Sequence, residues 1–328
     1  MVKKIKSIEM ITRKLLTLLI VLTIVTLGSC SKKSENIFNM FEDVNITFHD
    51  DSPYAVTDYK RYNDGDSVHI SFTITSANKD MMKLVVDSTL GTGAKGLRTF
   101  DLKDSERRSY SGRIRYKINR DGKATFRIYA LDELNVYMGD GYKSVTVEGA
   151  PSYTILPDRK VYSPDLDKPE LPTFYSIRQG KAYTYAEGLA NSADIDFGIR
   201  TEIDSTTGNF GRTIYNIYSI STEPNPHPEF DISGWEKRQT LFSDMLVSGT
   251  SEAFNNTLIS ASRIEEEAKK YSIDKRHTSF QQYDQAIKAD CMFYFLTPEG
   301  KYGVLFIKQN TQDAAGNEYL SITTKIQN

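Results

Sequence analysis

The chain has 328 residues, of which 39% are hydrophobic and 26% are charged, and its formal net charge at pH 7 is −2. A chain of this length usually folds as more than one domain, because a single hydrophobic core rarely extends so far. The near-neutral charge provides no strongly basic surface for nucleic acid, and two cysteines are too few for a disulfide-rich scaffold or a cysteine-rich zinc site.

The first 29 residues have the pattern of a secretory signal peptide. Five basic residues between Lys3 and Lys14 precede the charge-free apolar stretch 15–27. This stretch is shorter than the roughly 20 residues that a membrane-spanning helix requires. It ends in Leu27-Gly28-Ser29-Cys30, which resembles the lipobox of bacterial lipoproteins. A plain membrane anchor, or a secretory signal with an incidental cysteine, is the alternative interpretation.

The lipobox resemblance implies that residues 1–29 are removed and that Cys30 carries a lipid. The lipid would hold the protein to a membrane without spanning it, with residues 30–43 as a flexible tether. The mature chain would keep 36 basic and 42 acidic residues, a formal charge of −6. Ser31 replaces the aspartate associated with inner-membrane retention in Gram-negative lipoproteins, so we expect the outer membrane. Whether the protein faces the periplasm or the exterior stays open.

Residues 44–148 alternate apolar and polar side chains in short runs, the pattern of half-buried antiparallel strands. For example, Ile114, Tyr116 and Ile118 share one face of a predicted strand, and basic residues occupy the other face. Strands are predicted at 44–48, 68–74, 82–86, 110–118, 124–130 and 142–147. This pattern resembles an immunoglobulin-like β-sandwich, for which we expect a spacer role.

Residues 149–172 contain five of the ten prolines, which predicts a stiff linker. The remainder, 173–328, is predicted to form an α+β or helix-decorated β-sandwich domain, so the fold class is mainly β. Capping-box spacing predicts helices that begin at Thr184, Ser233 and Ser262. Strands are predicted at 194–200, 212–220, 291–296, 304–307 and 319–326, with a hairpin turn at 297–300.

The order of elements in the second half is similar to that of uncharacterised lipoproteins from Gram-negative gut commensals. It consists of a tyrosine-rich strand, a small-residue helix and then the strand that contains Ala193-Asp194-Ile195-Asp196-Phe197. The resemblance implies a two-domain, β-rich envelope protein with an N-terminal immunoglobulin-like domain. It carries over no functional residue.

The residues provide little support for catalysis. No phosphate loop, dinucleotide fingerprint, nucleophile elbow or zinc-protease motif occurs, and the four histidines lack metal-ligand spacing, so we expect no enzyme activity, no cofactor and no dedicated metal site. Asp194 and Asp196 are predicted to share one strand face. They are weak calcium candidates or the acid pair of a lipid-anchored hydrolase, although solvated surface acids are the favoured interpretation. Cys291 is expected to be a buried structural thiol.

Aromatic side chains are the remaining indication of function. Exposed tyrosine and tryptophan rings stack on sugars or anchor protein contacts. The candidate ligand platform consists of Trp235, Tyr175, Tyr183 and Tyr185, with core packing as the alternative. We therefore expect a non-catalytic cell-envelope lipoprotein whose C-terminal domain binds a glycan or an envelope protein. The alternative is a structural, fimbrillin-like assembly subunit that works by strand exchange, for which an unpaired strand groove would be the sign.

Overall fold

The structure is a computed structural model, and it describes residues 44–90, 95–141 and 143–328. The signal peptide, the lipobox, Cys30 and the tether therefore lie outside the described residues. Within the described ranges the chain is mainly β and forms two β-sandwiches with separate hydrophobic cores. None of the helices in these ranges has the length and apolar character needed to cross a membrane.

The first sandwich consists of two sheets, with strand orders β1-β3-β6 and β2-β9-β7-β4-β5, and β8 pairs with β7. All strand pairs are antiparallel except β2 with β9. The strands are β1 (Val44–His49), β2 (Tyr59–Tyr62), β3 (Ser67–Ser76), β4 (Lys83–Leu90), β5 (Lys95–Asp101), β6 (Ser109–Lys117), β7 (Gly122–Leu131), β8 (Tyr137–Gly139) and β9 (Ser144–Gly149).

The alternating pattern predicts β3 correctly. Val68, Ile70, Phe72 and Ile74 point into the core and are at most 2% exposed. Side chains at successive positions of a strand point to opposite faces, so this period of two places one face of β3 against the other sheet. All six strands predicted in this region are confirmed, with shifted ends.

The second sandwich packs a six-stranded sheet, β10-β19-β18-β17-β15-β16, on a four-stranded sheet, β12-β11-β13-β14. Residues of both sheets, including Tyr175, Phe197 and Phe293, form its core. The strands are β10 (Tyr153–Tyr162), β11 (Phe174–Ser176), β12 (Lys181–Tyr183), β13 (Phe197–Ile203), β14 (Thr213–Ser219), β15 (Leu241–Ser243), β16 (Ile273–Lys275), β17 (Met292–Leu296), β18 (Tyr302–Gln312) and β19 (Glu318–Gln327).

Short helices decorate the second sandwich. They are α1 (Tyr185–Asn191), α2 (Thr250–Glu252), which continues into a π-helical turn (Ala253–Thr257), and α3 (Ala261–Ala268). Single 3-10 turns occur at Asp104–Glu106 in the first sandwich and at Ser192–Asp194 and Tyr283–Gln285 in the second.

The predicted linker over 149–172 is wrong in its middle part, because residues 153–162 form β10. This strand lies at the edge of the six-stranded sheet and pairs with β19. Pro157 sits where the register shifts between Leu156 and Arg159. An edge strand tolerates proline at such an irregularity, since the missing N–H is not needed for the ladder there.

The three predicted capping boxes have different outcomes. Thr184 caps α1 as predicted, because its hydroxyl accepts the Glu187 N–H while the Glu187 carboxylate accepts the Thr184 N–H. The helix predicted at Ser233 is absent, and a turn occupies residues 233–235. The helix predicted at Ser262 begins earlier, since Ser260 is the N-cap of α3.

Hydrogen bonds join the two sandwiches. The Asp64 carboxylate accepts hydrogen bonds from the backbone N–H and the hydroxyl of Ser262, at 2.5 and 2.7 Å. The Asp121 carboxylate accepts two further hydrogen bonds from the N–H and hydroxyl of Ser152, at 2.7 and 2.5 Å. The Asp121 N–H donates to the Ile259 carbonyl at 3.1 Å. The proline-rich stretch therefore does not hold the two sandwiches apart.

Candidate functional site

The predicted aromatic platform is part of the core of the second sandwich. Trp235 is 7% exposed, Tyr183 is 6% exposed and Tyr175 is fully buried. The Trp235 ring meets Phe174 edge-on at 4.8 Å between centroids and stacks on the half-buried Tyr185 at 6.0 Å. A ring enclosed in this way cannot offer its face to a sugar, so the ligand-platform prediction is wrong and the core alternative holds.

A glycine makes room for the Trp235 ring. A Cβ atom added to Gly188 of α1 would lie 2.0 Å from the ring, closer than any packed side chain allows. The indole therefore occupies the space above the helix backbone. This close approach fixes the position of α1 on the sheet.

The predicted pair of acids, Asp194 and Asp196, does not form a common site in the structure. Asp194 belongs to a 3-10 turn and forms an ion pair with Arg178, so it does not share a strand face with Asp196. Asp196 precedes β13 and is fully buried. No group of three or more His, Cys, Asp or Glu side chains in the described ranges is arranged to hold a metal ion.

The hydrogen bonds of Asp196 indicate a structural role. Its carboxylate accepts hydrogen bonds from the Ile177 N–H at 2.7 Å, the Thr240 hydroxyl at 2.7 Å and the Arg238 guanidinium at 3.0 Å. Burial raises the pKa of Asp196 above its ordinary value, and these donors oppose the rise. Arg238 also forms a bidentate pair with Glu299, which lowers the pKa of Glu299 to about 2. The cluster ties the hairpin turn at 297–300 to β13.

Cys291 is 4% exposed, as expected for a structural thiol, and burial raises the pKa of its thiol. A raised thiol pKa lowers the fraction of reactive thiolate at neutral pH. The side chain packs in the core beside Phe293. This residue therefore offers no candidate nucleophile.

A groove of about 760 Å³ opens in the first sandwich. Its mouth lies between β5 and β6, which are edge strands of different sheets. We call it the β5–β6 groove. Its lining includes Val86 on β4, Phe126 on β7 and Val147 on β9, which form an apolar floor.

The inward-facing side chains of β6 show that the sandwich is incomplete at this edge. Tyr110, Ile114 and Tyr116 face the groove and are only half-buried, whereas the equivalent residues of the neighbouring strand β3 are fully buried. Phe100 on β5 lines the same groove and is 38% exposed. Such partly covered apolar side chains are typical of a binding groove.

Within the described ranges, the backbone of β6 has no partner on its side away from β3. Among the described residues its strand partner is β3 alone, and no loop backbone group bonds to residues 109–117. In the same described part of the chain, β5 pairs only with β4. In the constant-type immunoglobulin arrangement a fourth strand lies beside the position that β6 occupies. The free edge thus offers hydrogen-bonding groups directly above the apolar floor.

Positive charge surrounds the groove. Arg98, Arg115 and Arg120 line it, and within the described part of the chain none of the three forms an ion pair, whereas Arg113 pairs with Asp51. Among the described residues that line the groove, acidic side chains occur only at the end where β5 leads towards β6. The groove is therefore apolar at its base and mostly basic at its rim.

The comparisons with known proteins add no information about this groove. No protein-family model matches the chain, and no curated protein is significantly similar to it in sequence. The aromatic platform predicted from the sequence lies in the second sandwich, and the groove in the first sandwich was not predicted. The alternating pattern of Ile114 and Tyr116 was visible, but the sequence does not reveal that β6 has no neighbour on one side.

Proposed function

We propose that this protein is a non-catalytic, lipid-anchored protein of the cell envelope that binds an extended polypeptide segment in the β5–β6 groove. The observation that supports this function best is the unpaired edge of β6 above an apolar groove. The proposal moves the binding site from the second sandwich to the first. The mode of binding, addition of a strand, is related to the strand exchange of the fimbrillin-like assembly subunit that was the alternative expected from the sequence.

A polypeptide strand fits the groove better than other ligands do. An added strand would use the free N–H and C=O groups of β6 for affinity and would place alternate side chains on the apolar floor. β6 has nine residues and so extends over about 30 Å. Arg115 lies on the outer face of β6 and forms no ion pair with another described residue, so it favours acidic side chains at the intervening positions of the ligand. The proposed ligand is therefore an extended segment that alternates apolar and acidic residues.

Replacing Phe100 with aspartate should weaken peptide binding by at least about tenfold, or roughly 1.4 kcal/mol. A charge at the apolar mouth of the groove would have to be desolvated when the strand binds. Phe100 is already 38% exposed in the wild-type protein, so Phe100→Asp should have little effect on folding. The measurement is a selection of displayed random decapeptides on the detergent-solubilised full-length protein, followed by fluorescence polarisation with the enriched peptides.

Leu97→Asp is the matched control. Leu97 lies on the same strand, is 63% exposed and does not line the groove, so this variant should bind like the wild type. Equal binding by Phe100→Asp and wild type would contradict the proposal. So would an acyl lipid retained in the groove and detected by native mass spectrometry, or saturable binding of an oligosaccharide that Phe100→Asp abolishes. Self-association that Phe100→Asp abolishes would assign the strand to a second copy of the chain instead.

The anchor is tested separately. Replacing Cys30 with serine should abolish incorporation of an alkyne-labelled fatty acid and release the protein from the membrane fraction, because each buried CH₂ of an acyl chain contributes about 0.8 kcal/mol to membrane binding. Cys291→Ala is the control, and it should keep the label because Cys291 is the only other cysteine. Fatty-acid labelling of Cys30→Ser, or an unlabelled wild-type protein in the envelope fraction, would contradict the lipoprotein assignment.

A further inference from the structure

One end of the β5–β6 groove is closed by the second sandwich. Ile259 belongs to the second sandwich and lines the groove next to the turn that follows β6. Its carbonyl accepts the Asp121 N–H from this turn. A strand paired with β6 would meet Ile259 just beyond the end of β6, so it could not continue in the same line.

Hydrogen bonds within the second sandwich fix the position of the backbone next to Ile259. Lys325 on β19 is 3% exposed and donates hydrogen bonds to the Phe254 carbonyl at 2.5 Å and the Leu258 carbonyl at 2.8 Å. Immediately after Ile259, Ser260 caps α3. The obstruction at the end of the groove is therefore built into the fold of the second sandwich.

Arg120 lies at the same closed end. It is half-buried and lines the groove, and its Nη1 atom is buried with no hydrogen-bond acceptor among the described residues. No carboxylate in these ranges lies within ion-pair distance of it. An uncompensated, partly desolvated guanidinium is costly, and a carboxylate is its best-matched partner because two oxygens can accept hydrogen bonds from the planar fork.

We propose that the β5–β6 groove recognises the free C-terminus of a polypeptide. The α-carboxylate binds Arg120 beside Ile259, and the preceding residues extend along β6 towards Tyr110. The ligand then runs in the same direction as β6, and the stretch from Tyr110 to Tyr116 accommodates about six or seven residues. This inference rests on the proposed function and specifies which part of a partner chain the site selects.

The test uses two libraries of random decapeptides, one displayed with a free C-terminus and the other with the C-terminus fused to a carrier domain. Only the free C-terminal library should be enriched on the full-length protein. An enriched peptide is then synthesised as the acid and as the C-terminal amide. The amide should bind at least about tenfold more weakly in fluorescence polarisation, since it loses the charge-assisted hydrogen bonds to Arg120.

Two arginine variants locate the carboxylate. Arg120→Gln should weaken binding of the acid and abolish the preference for acid over amide. Arg98→Gln is the matched control, because Arg98 lines the middle of the groove, and it should leave the ratio of acid to amide affinity unchanged. Thermal unfolding of both variants verifies that they fold, and the comparison of acid with amide on the wild-type protein does not depend on either.

The outcomes separate the two proposals. Equal enrichment of both libraries, or equal affinity for acid and amide, would overturn recognition of the C-terminus and leave strand binding in place. Enrichment of neither library would overturn strand binding itself. A preference for the acid that Arg120→Gln retains and Arg98→Gln removes would place the carboxylate elsewhere in the groove and overturn the role of Arg120.

Discussion

Replacing Trp235 with alanine is expected to lower the free energy of unfolding of the second sandwich by about 3–5 kcal/mol. The indole is 7% exposed, fills the space above Gly188 and contacts Phe174 and Tyr185. Its removal would leave a cavity that the rigid sheet and α1 cannot close. Calorimetric or circular-dichroism unfolding of the variant measures the effect, and the transition of the first sandwich should not move.

Leu189→Ala serves as the control for Trp235→Ala. Leu189 lies next to Gly188 on α1 but is 61% exposed, so its truncation should change stability by less than about 0.5 kcal/mol. Trp235→Phe should recover part of the loss because it restores an aromatic ring to the cavity. A Trp235→Ala protein with wild-type stability would show that the indole is not a core residue.

Replacing Asp196 with alanine is expected to lower the free energy of unfolding of the same sandwich by about 3 kcal/mol. The change would leave the buried Ile177 N–H and Thr240 hydroxyl without an acceptor, and Arg238 would lose one of its two carboxylate partners. Denaturant unfolding can follow the second sandwich alone, because Trp235 is the only tryptophan in the chain. Its fluorescence reports on that sandwich.

The neighbouring acid provides the comparison for Asp196. Asp194 is paired with Arg178 near the surface, where an ion pair contributes at most about 1 kcal/mol. Asp194→Ala should therefore unfold at nearly the wild-type denaturant concentration. If both alanine variants were equally stable, Asp196 would not have the structural role inferred from its hydrogen bonds.

Local sequence patterns predicted those parts of the fold that depend on neighbouring residues. The alternation in β3 and the hairpin turn at 297–300 were predicted correctly, because each depends on a few adjacent side chains. β5 was not predicted, because at the sheet edge Leu97 remains 63% exposed and the alternating pattern disappears. β10 was not predicted, because Pro157 within it indicated a linker, whereas an edge strand tolerates a proline.

The wrong predictions arise from contacts between residues distant in sequence. Thr184 and Ser233 have the same capping-box spacing, but a helix begins only at Thr184. Near Ser233, the Trp235 side chain packs in the core against α1 instead. Trp235 was assigned to a ligand platform because nothing in the local sequence identifies Gly188 as its partner. The groove depends on the order of strands in two sheets, which no local pattern specifies.

The position of β19 determines when the second sandwich can form. Among the described strands β19 is the last in chain order, yet it lies between β10, the first strand of its sandwich, and β18. When the chain emerges from its N-terminal end, during synthesis or during export across a membrane, the six-stranded sheet therefore stays open until residue 327 has emerged, while every described strand of the first sandwich is available by residue 149. The six-stranded sheet can therefore close only at the end of this process, and the segment before Ile259 gains its hydrogen bonds from Lys325 only when β19 is in place.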